Sequence, residues 1–187
     1  MIPANDLRTG VTFEMDGGIY VVISFQHIKP GKGSPFVRVK IKNLDTGNIA
    51  EKTFRPEEKF KKAFLERKKM QYLYREGESY VFMDLETYDQ VLISPDNVGD
   101  AANFLKDNLE LTIVFYKDRP VSVDLPTFVE LKITHAEPSV KGDTATTAMR
   151  QVVLESGYKL NVPLFVNEGD LIKVDTRTGE YLERVNK

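Results

Sequence analysis

The chain has 187 residues, with 26 Lys and Arg against 28 Asp and Glu, two His, no Cys and no Trp. Without Cys, disulfides, zinc–thiolate sites and cysteine nucleophiles are excluded, and 41% apolar with 29% charged residues fits a folded, soluble chain rather than a disordered one. A net charge of −2 argues against a uniformly basic nucleic-acid binder.

Met1 to Asp6 has neither a basic region nor an apolar core, so no signal peptide is read there. No stretch approaches roughly 18 apolar residues, so no transmembrane helix is expected and the cytoplasm is the expected location. Two-residue alternation then dominates. Gly18 to Phe25 is expected as a strand introduced by the Asp16-Gly17 turn. In Phe36 to Lys42, Arg38, Lys40 and Lys42 alternate with Val37, Val39 and Ile41; the aliphatic set must face the core, because three cations cannot be buried unpaired. Asp45-Thr46-Gly47 is a hairpin turn into a strand from Ile49 to Phe54. One helical turn over Pro56–Lys59, followed by a strand, is preferred for the next stretch. Further strands are expected at Gln71–Tyr74, Tyr80–Asp84, Glu110–Tyr116, Phe128–Ala136, Val152–Leu154 and Leu171–Asp175. One short helix is expected after Ser94, with Pro95 at its first position and Val98, Ala101, Ala102 and Leu105 at helical spacing.

Many short strands with frequent turn signals predict an all-β chain of small barrels. Divisions are expected near residues 64 and 128. Residues 1–64 hold 11 basic and 7 acidic groups, a net of +4; residues 65–128 hold 7 and 12, a net of −5; residues 129–187 hold 8 and 9, a net of −1. The overall near-neutrality is a sum of unlike parts.

Lys29-Pro30-Gly31-Lys32-Gly33-Ser34-Pro35 lies between two expected strands. Pro30 and Pro35 restrict its shoulders, while Gly31 and Gly33 free its tip and leave Lys32 projecting. Such an ammonium suits phosphate or sugar contact and covalent modification; a solvated turn is the plainer account of the same residues. A nucleotide-hydrolase phosphate loop is rejected, since Gly33 separates Lys32 from Ser34, the upstream Gly is missing and a strand follows. Arg38, Lys40 and Lys42 stand about 7 Å apart, close to phosphate spacing. An ordinary solvated face is equally consistent, and the neighbouring Lys32 loop favours nucleic acid. His27 has no triad partner placed by sequence, His135 is too distant for a local metal motif, and no acidic pair stands out for acid–base work; no catalytic residue, metal or cofactor is expected. Tyr72, Tyr74, Tyr80, Phe82 and Tyr88 are expected mainly in the core rather than as a base-stacking platform. Gly142 to Arg150 is a polar loop, a mobile connection or a contact loop with Arg150 supplying charge.

The run Gln26 to Lys40 closely resembles the lysine-bearing loop of the bacterial elongation factor P family. The resemblance continues through Gln71–Tyr74, Phe82–Tyr88, Gly142–Thr146, Leu154–Gly157, Val162–Phe165 and Asp175–Tyr181, in order along the chain. It implies an N-terminal SH3-like domain (1–64) and two OB-fold domains (65–128 and 129–187), elongated like a tRNA. It further implies a monomeric, non-enzymatic translation factor that binds the 70S ribosome beside peptidyl-tRNA and relieves stalling at consecutive prolines. Lys32 matches the tip lysine, the target of a lysine-modifying enzyme in this family; Pro30, Gly31, Gly33, Ser34 and Pro35 would support it, and Lys29, Arg38, Lys40 and Lys42 would grip the tRNA backbone. Asp143, Thr144, Ala145, Thr146, Arg150, Tyr181 and Arg184 are implied contacts with the small subunit or messenger RNA. Two departures stand out: Pro35 where the family often has Ala, and Thr147, Met149, Arg150 and Gln151 in place of a commoner Gly-x-Thr-Lys-Pro run. The competing readings are a general RNA-binding module of the same barrels and, less well supported, an enzyme with Lys32 as nucleophile.

Overall fold

The structure, a computed structural model, describes residues 1–138 and 148–185. Its first sheet comprises β1 (Ile2–Pro3), β2 (Thr12–Met15), β3 (Gly18–Ile28), β4 (Phe36–Asn43), β5 (Ile49–Phe54) and β6 (Lys59–Lys62). They lie in the order β1-β6-β2-β3-β4-β5. β2 turns into β3 through Asp16 and Gly17, at φ 50° and 79°, the left-handed backbone that matches the twist of the flanking strands.

The alternation of β4 sorts as expected. Val37, Val39 and Ile41 are fully buried, while Arg38, Lys40 and Lys42 are exposed. β3 runs on to Ile28 rather than ending at Phe25. A bulge between Val22 and Ser24 shifts its register, so Val22 and Phe25 both stand opposite core residues of β4 despite their odd spacing. Around Phe60 the core is aromatic, with Phe54 at 4.7 Å and Phe13 at 5.0 Å. The helical turn expected at Pro56–Lys59 is a tight turn instead, closed by the Glu58 N–H donating to the Arg55 carbonyl at 3.0 Å. Pro56 sits where its fixed φ suits such a turn, and the expected strand follows as β6.

The second sheet is built from β7 (Glu66–Glu76), β8 (Ser79–Asp84), β9 (Gln90–Ile93), β10 (Glu110–Tyr116) and β11 (Arg119–Asp124), in the order β11-β10-β7-β8-β9. The expected helix is two shorter pieces, α1 (Pro95–Val98) and a 3-10 turn over Gly99–Phe104. Gly99, at φ 56° and ψ −140°, interrupts it. Ser94 Oγ donates to Asn97 Oδ1 at 2.8 Å instead of capping a backbone N–H. Of the aromatic set, Phe82 and Tyr72 are buried as expected, but Tyr74 and Tyr88 are exposed. Burial holds the Tyr72 phenol above its ordinary pKa.

The third sheet holds β12 (Phe128–Ala136), β13 (Met149–Leu154), β14 (Lys159–Pro163), β15 (Leu171–Asp175) and β16 (Tyr181–Arg184), in the order β14-β13-β12-β15-β16. Its interior gathers Leu131, Ile133, Val152, Leu154, Val162, Ile172 and Val174, together with Phe104.

One turn recurs in all three sheets. Asn43, Asp84 and Asp175 each accept, at the backbone carbonyl, the N–H of the residue four positions on, at 2.9, 2.9 and 2.8 Å. Each side-chain Oδ1 also accepts the N–H two positions on, at 2.8 Å in all three copies, the polar local bond that makes Asn and Asp turn formers. Thr46, Thr87 and Thr178 then accept, at their hydroxyls, the N–H two residues beyond. The fifth position needs positive φ: Gly47 (76°), Tyr88 (64°) and Gly179 (74°).

By packing, the chain forms two compact units, Met1–Lys68 with Ile113–Ser122, and Lys69–Thr112 with Val123–Lys187. Within the first, Ile19, Ala63, Val114 and Val121 make a second small core. Within the second, the Ser156 hydroxyl donates to the Asn103 carbonyl at 2.6 Å and Phe104 packs on Tyr158 with centroids 5.0 Å apart. Among the described residues no helix is long and apolar enough to cross a membrane.

Candidate functional site

β3 and β4 pair up to Ile28 and Phe36, so Lys29 to Pro35 form the loop that joins a long antiparallel hairpin. Every residue of that loop is exposed. Pro30 and Pro35 cannot donate backbone hydrogen bonds and hold their own φ, which ends the ladder at both shoulders. Gly33 turns the tip at φ 109°, a conformation that side chains of L-residues rarely adopt. Lys32 stands between Gly31 and Gly33, with no β-carbon on either neighbour to crowd it.

The basic stripe continues from this loop on the solvent face of β4. Arg38, Lys40 and Lys42 stand opposite Gln26, Ser24 and Val21 of β3, and opposite Thr53, Glu51 and Ile49 of β5. Glu51 therefore sits inside the stripe, and its carboxylate meets Arg38 Nε at 3.4 Å. Both partners are largely exposed, so the pair adds little stability, but it lowers the local positive charge. The sequence reading missed Glu51. The Asp45-Thr46-Gly47 turn sets the register of the hairpin, and counting outward from it pairs Lys40 with Glu51.

At the base of the loop a cavity of about 510 Å³ lies between the shoulders Lys29 and Pro35 and the residues Pro3, Asp6 and Glu57. His27, also in its wall, is exposed and lies edge-on to Phe25 at 5.6 Å, while the Arg8 guanidinium covers the Phe25 ring at 4.7 Å. Among the described residues no cluster of His, Cys, Asp and Glu could hold a metal ion.

Of the other implied contact residues, Arg150, Tyr181 and Arg184 belong to the third sheet. Asp143, Thr144, Ala145 and Thr146 lie outside the described residues. Arg150 spends its guanidinium on its own barrel, donating to the Val166 carbonyl and to Asn167 Oδ1. Tyr181 pairs with Val174 and packs against the third core. Arg184 NH1 approaches Asp170 Oδ2 at 3.5 Å, and its guanidinium lies 5.7 Å from the centre of the exposed Phe165 ring. The structure thus brings Lys29, Lys32, Arg38, Lys40 and Lys42 onto one hairpin, and Arg150, Tyr181 and Arg184 onto one barrel.

Three family models match in series: the elongation factor P KOW-like domain over residues 3–60, its OB domain over 65–123, and its C-terminal domain over 129–184. Among curated relatives, elongation factor P of Clostridium perfringens is 55% identical over 185 residues, covering 99% of this chain and 100% of its own. Elongation factor P of a Thermoanaerobacter species is 54% identical over the same span and coverage. Among solved structures, eukaryotic translation initiation factor 5A from Methanococcus jannaschii aligns with a TM-score of 0.54 at 21% identity, over 65% of this chain and 92% of its own. An initiation factor of the same kind from Naegleria fowleri gives 0.51 at 16%, over 66% and 96%. At those identities the structural likeness speaks for the fold alone.

Proposed function

Because the chain belongs to the elongation factor P family and is a translation elongation factor, we propose that it binds the 70S ribosome beside peptidyl-tRNA and messenger RNA and promotes peptide-bond formation at consecutive prolines. The observation that carries this reading is Lys32, presented at the tip of a fully exposed, glycine-flanked loop on the hairpin that also bears Arg38, Lys40 and Lys42. Proline reacts slowly because its ring fixes φ and limits the approach of the reacting groups. A factor without catalytic groups can still accelerate the step by holding the acceptor end productively; orientation supplies up to roughly 7–11 kcal/mol in favourable systems.

In this reading Lys32, with whatever a modifying enzyme adds to it, positions the acceptor end, and Lys29, Lys40, Lys42 and Arg38 contact the tRNA backbone. Pro35 stiffens the shoulder that such an enzyme must accept. Arg150, committed to Val166 and Asn167, acts by holding its barrel rather than by touching messenger RNA; Arg184 and Tyr181 remain the better candidates there. Lys32→Ala should lengthen ribosome pauses at Pro-Pro-Pro in a profiling comparison while leaving the unfolding temperature unchanged. Unchanged pausing would remove Lys32 from this role. Intact-mass measurement on protein purified from its source cell tests for the modification.

A further inference from the structure

A polar pocket of about 290 Å³ lies wholly within the second compact unit and contains none of the residues that the proposed function uses. Its walls come from the β7–β8 ladder, the chain leaving the 3-10 turn, and the turn after β13. Arg75 and Tyr80 are direct partners on the ladder. The Arg75 guanidinium lies 5.4 Å from the centre of the Tyr80 ring, and its Nε donates to the Gly77 carbonyl at 3.1 Å. The Tyr72 ring stands 6.2 Å from that of Tyr80. Glu155 is held by Lys132, whose carbonyl accepts its N–H at 2.9 Å and whose N–H donates to its Oε1 at 2.8 Å. The bond from Ser156 to Asn103 ties this turn to the 3-10 turn, and Lys106 and Asp107 complete the polar lining.

Two cations, two carboxylates and two phenols thus converge on a space at the small end of ligand pockets, which span roughly 300–1,000 Å³. Among the described residues Arg75, Lys106, Asp107 and Glu155 make no ion pair, and the Tyr72 and Tyr80 hydroxyls have no hydrogen-bond partner. Burial, then the Asp107 carboxylate, holds the Tyr72 phenol above its ordinary pKa, so it stays a donor. We propose that this pocket binds a free ribonucleoside monophosphate. Its phosphate answers Arg75 and Lys106, and its sugar hydroxyls donate to Asp107 and Glu155, as ribose hydroxyls do to acidic side chains elsewhere. Its base stacks on the face offered by Tyr80 and Arg75. An inorganic anion would leave the carboxylates and the ring unused, and an amino acid brings neither sugar hydroxyls nor a base. Residues 65–128 carry a net of −5, which opposes a polyanionic strand, whereas two cations suffice for a single phosphate.

The full chain titrated with the four ribonucleoside monophosphates, and followed by its amide signals in two-dimensional NMR, should show saturable shifts centred on residues 72–80, 102–107 and 155–156. Adenosine and inorganic phosphate, each offering part of the recognition, should bind at least about tenfold more weakly. Arg75→Gln with Lys106→Gln should weaken nucleotide binding about a hundredfold, and Glu155→Gln about tenfold. Unfolding midpoints should stay near the parent's, since all three side chains are partly or largely exposed. No saturable shifts at millimolar nucleotide, shifts centred elsewhere, or variants that bind like the parent overturn the proposal. Inorganic phosphate binding as tightly as the nucleotides overturns it too, by reducing the pocket to an anion site. A short single-stranded RNA that takes these residues more tightly than any monophosphate overturns the free nucleotide in favour of a strand.

Discussion

Asp175 shows how one carboxylate holds a turn. It accepts the Arg177 N–H at 2.8 Å, and its two oxygens take Arg177 Nε and NH2 at 3.1 and 2.7 Å. Those side-chain bonds, then the backbone bond, hold its pKa at about 2 against an ordinary 3.8. The folded value lies below the unfolded one, so the stabilisation is complete above pH about 4 and is lost as pH falls toward 2. Urea midpoints of the parent and Arg177→Gln should therefore differ by a constant amount at neutral pH and converge between about pH 4 and 2. Since Arg177 is mostly exposed, the difference should be modest. Gly33 makes the opposite case. A β-carbon there would have space, with Pro30 Cγ at 3.7 Å, but not the backbone at φ 109°. Gly33→Ala should cost about 1 kcal/mol locally, shift the melting temperature little, and slow Pro-Pro-Pro synthesis in a reconstituted translation assay by reshaping the tip that carries Lys32.

At the scale of the element, β4 sets a buried core side chain directly beside an exposed one proposed to bind. Ile41→Ala removes a fully buried side chain and should destabilise the fold by about 2–5 kcal/mol in denaturant unfolding. Lys40→Ala, one residue away on the solvent face, should stay within about 0.5 kcal/mol of the parent and weaken ribosome binding instead. This strand was legible in sequence because charge and apolarity alternate without interruption. β11 was not, because Pro120 lowers its strand signal; the strand stands at a sheet edge, where a missing N–H is tolerated. The helix after Ser94 was visible as helical spacing, but the Gly99 break depends on a backbone angle that spacing does not encode. At the site, the Lys32 loop was legible from Pro and Gly chemistry. Glu51 was hidden because it is close to Lys40 only across the hairpin, and Arg150 because its acceptors are 16 and 17 residues away.

Across the whole molecule, charge is polarised rather than absent, with +4 in residues 1–64 and −5 in 65–128. Positive charge where RNA would be gripped in the proposed role, set against an acidic stretch elsewhere, would favour a specific partner over loose RNA. Lys40→Ala with Lys42→Ala should reduce the salt slope of ribosome binding by about 2, and the parent should bind free single-stranded RNA only weakly in a filter assay. A slope unchanged by both substitutions would take the stripe off the RNA. The small core of Ile19, Ala63, Val114 and Val121 bears on the chain's modularity. The OB-domain match begins at residue 65, yet the hairpin of residues 113–122 is counted with the N-terminal unit. A fragment cut at residue 64 would carry Ile19 and Ala63 without the valines that cover them. Such a piece should bind a hydrophobic dye and self-associate where the intact chain does neither, so the N-terminal module is borrowed from two separated stretches of the gene and cannot be moved as one.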